Sequence, residues 1–297
     1  MKWVKKGLIL DLDGRHAQMP VVDQYNDGTM EVYFSTRDEQ GRSMPMSIVT
    51  RQDRPADIIS QHPPTAKCLG RPGTFDDNGV MPSWIVAGSE KVYYVGWSKR
   101  TSVPYATAIG LAEFQDDGSL RRYREGPVIG CGPDEPYGCT TPCVILDNGI
   151  FRMWYASFIL WTDYNEPWYH IRYKESRDSI RWDTMPVPQY LFHDYACTCR
   201  PSVFIRDNRY YMIYSRRGLK DYRTDKSESY RLCLATSDDG VEWDDEEVGI
   251  DVSESGWDSE MIAYGTVYEF DGNVYMLYNG NGFGKSGIGY AILEDEG

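Results

Sequence analysis

The sequence predicts an all-β fold: a five-bladed β-propeller with four antiparallel strands in each blade. The 297 residues include 23 Tyr, 9 Trp, 28 Gly and 16 Pro, a composition typical of strands joined by tight turns. A segment of about 60 residues recurs along the chain, which is the signature of a repeat architecture. No long apolar pattern with the helical period competes with this interpretation.

The first two strands of each blade are predicted by a repeated pattern. An apolar stretch leads into a turn, often Asx-Gly, and an aromatic strand follows. Asx-Gly between apolar runs is a strong hairpin signal. Four of the apolar stretches contain a proline, which a strand tolerates best near its start. These prolines are spaced by 62, 60 and 59 residues: Pro20, Pro82, Pro142 and Pro201.

Two further strands complete each predicted blade. A third strand recurs at 109–112, 171–174, 232–235 and 288–291, and a turn followed by Trp at 176–183 and 237–244 indicates a fourth. Stacking such sheets in a closed ring buries both apolar faces of each one. We therefore expect one domain over residues 1–297. Its blades span about 14–60, 76–125, 137–183, 196–244 and 260–297, with the N-terminal segment as a candidate to complete the last blade.

Charge and cysteine content disfavour several classes of protein. The chain has 31 Lys and Arg against 45 Asp and Glu, a net charge of −14. Nucleic acids and anionic membrane surfaces both need a basic face, so neither is an expected partner. No apolar run approaches the roughly 18 residues of a membrane span. The N-terminus does not resemble a secretion signal, and with seven cysteines we expect free thiols in a reducing cytoplasm.

The cysteines at 139–143 and 197–199 are close in sequence. Their spacing is not the CxxC pairing that zinc sites favour, so no metal site is expected. A disulfide between the two regions is neither predicted nor excluded by the sequence.

These repeats resemble the five-bladed propeller glycosidases and related sugar enzymes, namely glycoside hydrolase families 32, 43, 62 and 68 and the phosphorylase family 130. The resemblance rests on the first strand with its Pro, second strands such as Tyr-Met-Ile-Tyr-Ser, third strands such as Ile-Gly-Tyr-Ala, and the Ser-x-Asp-Gly-x-x-Trp turn. It implies a sugar ligand at one end of a central channel. It also implies catalytic carboxylates just before the innermost-strand Pro of the first three blades. Here those places read Gln18-Met19, Val80-Met81 and Thr140-Thr141, and blade four has Arg200.

Acidic residues do occur in the loops that lead into these strands. Glycosyl cleavage needs two carboxyl groups, one to protonate the leaving oxygen and one to activate water or attack. A histidine is the side chain best suited to proton transfer near neutral pH. The candidate catalytic residues are Asp77, Glu135, Glu260 and His16. The alternative is that these are solvated loop acids and a hydrogen-bonded histidine.

The candidate substrate-binding residues are a tryptophan, polar loop residues and a set of cations. An aromatic ring can stack on a sugar, and a guanidinium grips a carboxylate or phosphate in a bidentate fork. The alternative is ordinary surface charge pairing, which contributes little. The set is Asp76, Arg37, Arg42, Arg200, Arg216, Trp257, Asp258, Asn281 and Lys285.

Together these features predict a carbohydrate-active protein that binds a sugar, a sugar phosphate or a nucleotide-sugar. It would act as a hydrolase, phosphorylase or transferase. The alternative is a non-catalytic carbohydrate-binding propeller, and a scaffold for protein partners is a third hypothesis. No cofactor is expected, and a Ca²⁺ ion in the channel is left open, as is the oligomeric state.

Overall fold

The computed structural model describes residues 1–86, 88–115, 119–163, 165–183, 190–192 and 194–294. Within these ranges the chain forms twenty strands, one turn of 3-10 helix (Ala66–Cys68) and one short helical turn, α1 (Asn281–Gly284). The prediction of an all-β fold is therefore confirmed. In chain order the strands are β1 Lys2–Leu10, β2 Gln18–Gln24, β3 Thr29–Arg37, β4 Ser43–Arg51, β5 Ser60–His62, β6 Gly79–Ile85, β7 Lys91–Lys99, β8 Tyr105–Phe114, β9 Leu120–Arg122, β10 Cys139–Asp147, β11 Ile150–Trp161, β12 Pro167–Ser176, β13 Tyr190–Leu191, β14 Cys197–Arg206, β15 Arg209–Arg217, β16 Arg231–Ser237, β17 Asp244–Glu246, β18 Ala263–Phe270, β19 Asn273–Asn279 and β20 Ile288–Glu294.

Antiparallel meanders are the building unit of the described sheets. Three sheets have four strands each, in the orders β10-β11-β12-β13, β14-β15-β16-β17 and β1-β20-β19-β18. A larger sheet runs β2-β3-β4-β6-β7-β8-β9, with β5 paired to β4. Its two halves are joined by a single parallel pairing, Ser43 with Gly79. The N-terminal strand β1 pairs with the C-terminal strand β20, so both ends of the chain share one sheet.

The chain divides into two compact units. The first unit comprises Met1–Thr36, Met46–Pro63 and Ser202–Gly297, and the second comprises Arg37–Pro45 and Pro64–Pro201. Each has its own apolar core, to which the second strands of its meanders contribute fully buried aromatic residues. Tyr278 and Phe34 are fully buried in the first unit, and Tyr94 and Tyr155 in the second. The single-domain expectation stays a prediction.

A bulge recurs in the first strand of the meanders. A non-glycine residue there takes a left-handed conformation, which L-residues rarely adopt, and the ladder shifts register around it in β2, β10 and β18. The residues, with φ between 47° and 58°, are Met19, Thr141, Arg200 and Tyr264. A neighbouring side chain accepts the freed N–H in three cases: Met19 to Asn279, Arg200 to Thr141 and Tyr264 to Ser215.

In the second repeat the proline lies one residue earlier, relative to the strand pairing, than it does in the first repeat. Trp84 pairs with Tyr93 as Val21 pairs with Tyr33 in the first repeat. Ser83, not Pro82, therefore stands where the first repeat has its proline. Pro82 occupies the bulge position, where its ring fixes φ near −65° and forbids the left-handed conformation.

The Ser-x-Asp turn after β16 is held by a local set of hydrogen bonds. The hydroxyl of Ser237 accepts the N–H of Gly240 at 2.8 Å, and Asp239 Oδ1 accepts the N–H groups of Val241 and Glu242. These backbone donors, Glu242 foremost, hold the pKa of Asp239 below its usual value. The fourth strand follows directly as β17. After β12 the prediction was wrong in position, because the turn at 176–183 is not a strand and the paired strand is β13.

All seven cysteines are free thiols. Five are buried, Cys131 is exposed and Cys233 is partly exposed. Among the described residues, none of the helices has the length and apolar character needed to cross a membrane.

Candidate functional site

The acidic loop before β6 places two neighbouring carboxylates in different surroundings. Asp76 is fully buried. Its Oδ2 accepts hydrogen bonds from the Tyr94 hydroxyl at 2.9 Å and from Arg122 Nε at 2.8 Å, and its Oδ1 accepts one from Thr74. Asp76 thus joins its loop to the second and fourth strands of the same meander.

Glu135, in the loop before β10, is held in the same way. It is buried, and its carboxylate accepts hydrogen bonds from the Tyr155 hydroxyl at 2.5 Å, the Ser157 hydroxyl at 2.5 Å and Arg172 at 2.8 Å. Burial raises the pKa of Glu135, while these donors partly oppose the change. Burial and the Glu135 charge also raise the pKa of Tyr155.

Asp258, in the loop before β18, repeats the arrangement in the first unit. Its Oδ2 is 2.7 Å from Lys5 Nζ and 3.0 Å from the Tyr278 hydroxyl. We call these three groups the loop clamps: a buried carboxylate, a second-strand tyrosine and a cation. Their hydrogen bonds favour a structural role for Asp76, Glu135 and Asp258, which the sequence placed among catalytic and substrate-binding candidates.

A sequence signal for the clamps exists. The tyrosine follows its carboxylate by 18 residues for Asp76 and by 20 residues for Glu135 and Asp258. This spacing was missed because each acid was judged by its own loop. The cations carry no comparable signal, since Arg122, Arg172 and Lys5 lie on different strands.

Asp77 differs sharply from its neighbour. It is only partly buried, and its Oδ2 accepts the N–H of Gly73 at 2.8 Å. Its Oδ1 is shielded from solvent and has no hydrogen-bond partner among the described residues. The carboxylate is therefore fixed in orientation by one oxygen, and the other is a buried acceptor that no described residue satisfies.

Asn78, the residue after Asp77, belongs to a set that we call the Trp97 face: Arg37, Ser43, Asn78, Trp97 and Lys99, all in the second unit. Trp97 Nε1 donates to the Ser43 hydroxyl at 2.9 Å. The guanidinium carbon of Arg37 lies 5.4 Å from the centre of the indole ring. Asn78 joins β4 to β7, because its backbone carbonyl accepts the Ser43 N–H and its side-chain oxygen accepts the Lys99 N–H.

Two predicted cations of this unit are already engaged. Arg42 Nε lies 2.8 Å from Asp38 Oδ2. Burial opposes ionisation of Asp38, but the backbone and side-chain N–H groups of Arg42 outweigh it and lower the pKa of Asp38. Arg200 is fully buried and donates to the Ser83 carbonyl at 2.9 Å. It joins two first strands, which favours a structural role.

The predicted residues of the first unit gather around α1. Asn281 Oδ1 accepts the N–H groups of Glu260 at 2.7 Å and Met261 at 3.1 Å. Trp257 packs on Tyr278 with ring centres 5.2 Å apart. The Glu260 carboxylate is half-exposed and lies 3.0 Å from Lys226 Nζ. Glu260 is therefore a surface acid on a loop that Asn281 holds in place.

Three further predicted residues are accessible to different degrees. Lys285 is exposed and His16 is partly buried. Arg216 is exposed and lines an open cleft of about 670 Å³ with Lys2 and Arg231.

The neighbouring Arg217 lies outside the set of candidate site residues. It is buried, its guanidinium carbon lies 3.8 Å from the centre of the Tyr222 ring, and Nε donates to the Tyr230 hydroxyl at 3.2 Å. Phe283 contacts both tyrosine rings. One signal was present, because Tyr222 is the single aromatic residue in the polar stretch 218–229. An aromatic residue in such a loop commonly marks a packing contact.

The described residues contain no group of three or more His, Cys, Asp and Glu side chains placed to hold a metal ion.

Comparison with known proteins identifies relatives of this chain. No protein-family model matches the chain. Two Mycobacterium tuberculosis proteins, MT1551 (strain CDC 1551 / Oshkosh) and Rv1502 (strain ATCC 25618 / H37Rv), are each 35% identical to it over 99% of this chain and 100% of their own length. The chain belongs to their family.

Solved structures share its fold at low identity. The BT0996 RGII complex superposes with a TM-score of 0.77 at 19% identity, covering 99% of this protein and 92% of that one. The GH43_1 enzyme from Xanthomonas citri complexed with xylose gives 0.64 at 14% identity, covering 97% and 89%. Further neighbours include a family-43 glycoside hydrolase and an exo-1,5-alpha-L-arabinanase. The expected resemblance to the propeller glycosidase superfamily is confirmed at the level of fold.

Proposed function

We propose that this family member is a carbohydrate-active protein that acts on glycosyl bonds, with Asp77 as its principal catalytic carboxylate. One observation carries the proposal: the Gly73 N–H orients Asp77, and the second oxygen of this carboxylate is a buried acceptor with no hydrogen-bond partner among the described residues. The ligand would be a sugar, a sugar phosphate or a nucleotide-sugar, bound where the first strands begin.

The proposal includes a closed five-bladed propeller. Its support is the sequence repeat, the meanders of the described sheets and the glycoside hydrolase neighbours. In such a ring the loops before the first strands would lie around one mouth of the channel. Asp77 belongs to one of these loops.

Elimination leaves Asp77 and Glu260 among the candidate acids. Five acids in these loops are candidates: Asp76, Asp77, Glu135, Asp258 and Glu260. The loop clamps occupy three of them. Asp77 would act as base or nucleophile, one of the two tasks that glycosyl cleavage requires, and Glu260 is a separate candidate for the proton donor.

A second candidate function is non-catalytic sugar binding. No acid precedes the first-strand proline at the places that the glycosidase resemblance marks, and Glu260 is half-exposed and paired with Lys226. On this alternative Asp77 would accept a hydrogen bond from a sugar hydroxyl and transfer no proton.

Turnover of aryl glycosides separates the two candidates. The substrates are p-nitrophenyl α-L-arabinofuranoside, β-D-xylopyranoside and β-D-glucuronide, assayed with wild type, Asp77→Asn and Glu260→Gln. Glu294→Gln is the matched control, because Glu294 is as exposed as Glu260 and also pairs with a lysine. Catalysis by Asp77 predicts that Asp77→Asn loses turnover at least a hundredfold and that the control retains it. A matching loss in Glu260→Gln would identify Glu260 as the proton donor. Sugar-induced stabilisation of a wild type without turnover would establish the binding alternative.

A further inference from the structure

Two hairpin tips of the second unit meet through a pair of aromatic rings. Tyr105 is the first residue of β8, and Trp161 is the last residue of β11. Their ring centres are 5.0 Å apart with the ring planes at 77°, the edge-to-face arrangement that aromatic pairs favour. Phe158 is buried on the same strand and lies 5.9 Å from the Trp161 ring. Trp161 is therefore held by two rings at the end of a strand, so a ligand would remove little of its side-chain freedom.

The Trp161 indole is packed without being enclosed. The residue is only partly buried. Its indole N–H forms no hydrogen bond to a described residue and is not shielded from solvent. Trp97 differs, because its indole N–H donates to Ser43 at 2.9 Å. Trp161 thus combines a fixed ring with an unused hydrogen-bond donor.

A third aromatic residue, Tyr137, lies beside both hairpins. The carbonyl of the next residue, Gly138, accepts the Phe158 N–H at 2.9 Å. A Cβ at Gly138 would lie 2.8 Å from the Thr107 carbonyl oxygen, so Gly138 also packs against β8. Tyr137 itself is 45% exposed, and its hydroxyl forms no hydrogen bond to a described residue. This part of the second unit therefore presents aromatic surface together with two unused polar groups.

The aromatic pair lies at the same edge of its sheet as the Asp77 loop. Strand β7 is antiparallel to β6, so β7 ends at the edge where β6 begins. The side chain of Asn78, the residue after Asp77, accepts the Lys99 N–H at 3.0 Å. Lys99 in turn pairs with Tyr105, whose ring contacts Trp161. A continuous set of contacts within one unit thus joins the Asp77 loop to the aromatic pair.

The charged side chains at the two tips and in the Tyr137 loop are balanced. The two turns carry two cations and two carboxylates, and the Tyr137 loop carries two acids that are paired with cations. These residues are Lys99, Arg100, Asp163 and Glu166 in the turns, and Asp134 with Lys174 and Glu135 with Arg172 in the loop. A balanced surface gives no net attraction to an anion. An uncharged ligand with an apolar face and hydroxyl groups fits it better.

From these contacts we propose that Tyr105 and Trp161 form a stacking platform for a neutral sugar ring, and that the ligand is an oligosaccharide. The inference rests on the proposed function and names its substrate class. One sugar unit would lie at Asp77 and a further unit on Trp161, where the indole N–H and the Tyr137 hydroxyl bind its oxygens. A nucleotide-sugar is the disfavoured ligand, because its diphosphate finds no excess of positive charge at the platform.

Isothermal titration calorimetry tests the inference with D-xylose against xylotetraose, L-arabinose against arabinotetraose, and UDP as the nucleotide probe. Wild type should bind one tetrasaccharide at least tenfold more tightly than its monosaccharide. Trp161→Ala should lower the affinity for that tetrasaccharide at least tenfold. Trp161→Phe, which keeps a ring but lacks the N–H, should retain part of it.

Trp243→Ala is the matched control. Trp243 is also partly buried, but it lies in a turn of the first unit and its indole N–H donates to the Gly240 carbonyl at 3.1 Å. The tetrasaccharide affinity of this variant should equal that of wild type. Circular dichroism on heating shows whether each variant is folded, and Trp161→Phe keeps the test decisive if Trp161→Ala unfolds.

Each other outcome overturns a defined statement. Equal affinity for tetrasaccharide and monosaccharide contradicts the inference and leaves the proposed function, which aryl glycoside turnover judges, standing. A tetrasaccharide affinity that survives in a folded Trp161→Ala, or is unchanged in Trp161→Phe and Tyr105→Ala, removes the aromatic pair from the site. UDP binding that is tighter than tetrasaccharide binding and is lost in Trp161→Ala assigns the platform to a nucleobase. Binding of none of the sugars, with no turnover, contradicts the inference and the proposed function together.

Discussion

At the scale of single residues, the structure separates carboxylates that are held in loop clamps from carboxylates that no clamp holds. Asp76 and Asp77 are adjacent in sequence, yet the first is fully buried in a clamp while the second keeps one oxygen without a partner among the described residues. Chemistry and position in the chain do not distinguish them. The difference lies in Tyr94 and Arg122, which reach one carboxylate and not the other.

Arg122→Met should destabilise the protein by about 3 kcal/mol, because it leaves the buried Asp76 carboxylate without its cation. Urea unfolding measures the change. The neighbouring Arg121→Met is the matched control: Arg121 is exposed and pairs with Glu113 on the surface, so its loss should cost less than about 1 kcal/mol. Equal effects of the two substitutions would contradict the clamp.

Glu31 gives a pH-dependent prediction. It accepts hydrogen bonds from Ser47 at 2.5 Å, His62 at 2.9 Å and Tyr25 at 2.9 Å. Burial opposes ionisation, but these donors, Ser47 foremost, outweigh it and lower the pKa of Glu31 from 4.5.

The Ser47 hydroxyl and the Glu31 carboxylate both bind Nδ1 of His62. In a catalytic triad the hydroxyl and the carboxylate bind opposite nitrogens of the histidine, so Ser47, His62 and Glu31 do not form one.

Because the folded pKa of Glu31 is depressed, its stabilisation is present above pH 4.5 and is lost as pH falls through the folded value. Glu31→Gln should therefore be less stable than wild type near neutral pH, and the difference should shrink below pH 4.5. Urea unfolding of both proteins at pH 7 and pH 4 measures it. A difference that is the same at both pH values would show that the Glu31 charge contributes nothing.

At the scale of elements, hairpin turns with left-handed residues fix the register of the meanders. Asp271 and Gly272 both have positive φ, as do Asp207 and Asn208 in the equivalent turn between β14 and β15. Two consecutive left-handed residues are the geometry of a type I′ turn, which favours glycine in its second position.

These turns give opposite predictions for two substitutions. Gly272→Ala should lower stability by about 1 kcal/mol, because alanine is strained at a φ of 75°. Asn208→Gly should raise it by a few tenths of a kcal/mol by relieving the same strain. Thermal unfolding of the two variants measures both. A melting temperature that rises for Gly272→Ala would contradict the assigned turn geometry.

The elements were more predictable from sequence than the site. Turn residues and aromatic strands alternate at short range, so the repeat predicts the strands directly. A proline marks four of the five predicted first strands, but Pro82 lies one position early, and the pairing of Trp84 with Tyr93 decides the register. Site assignments depended on partners far along the chain, such as Arg122, which lies 46 residues after Asp76. The period of the sequence repeat does not reveal which distant residues become hydrogen-bond partners.

At the scale of the whole molecule, the two ends of the chain meet in one sheet. Strand β1 pairs with β20, buries Trp3 and Ile9, and supplies Lys5 to the Asp258 clamp. The N-terminal strand therefore contributes pairing, apolar burial and a charge to the first unit.

Deletion of residues 1–10 should abolish cooperative folding. It exposes the edge of β20, removes two core side chains and leaves Asp258 buried without its cation, a combination that exceeds the stability of an ordinary domain. Circular dichroism on heating measures the loss. Lys2→Ala is the control, because Lys2 is exposed and makes only a surface ion pair with Glu294. A cooperative transition in the truncated protein would contradict the role of β1 described above.

The most direct test of the central claim is thermal unfolding of Asp76→Asn and Asp77→Asn with and without xylotetraose. Asp76 is the clamp carboxylate of the pair, and Asp77 is the one that we propose binds ligand. Asp76→Asn should melt several degrees below wild type. Asp77→Asn should melt with wild type in the absence of the sugar and lose the rise in melting temperature that the sugar gives wild type. A destabilised Asp77→Asn that still responds fully to the sugar would contradict this division of roles.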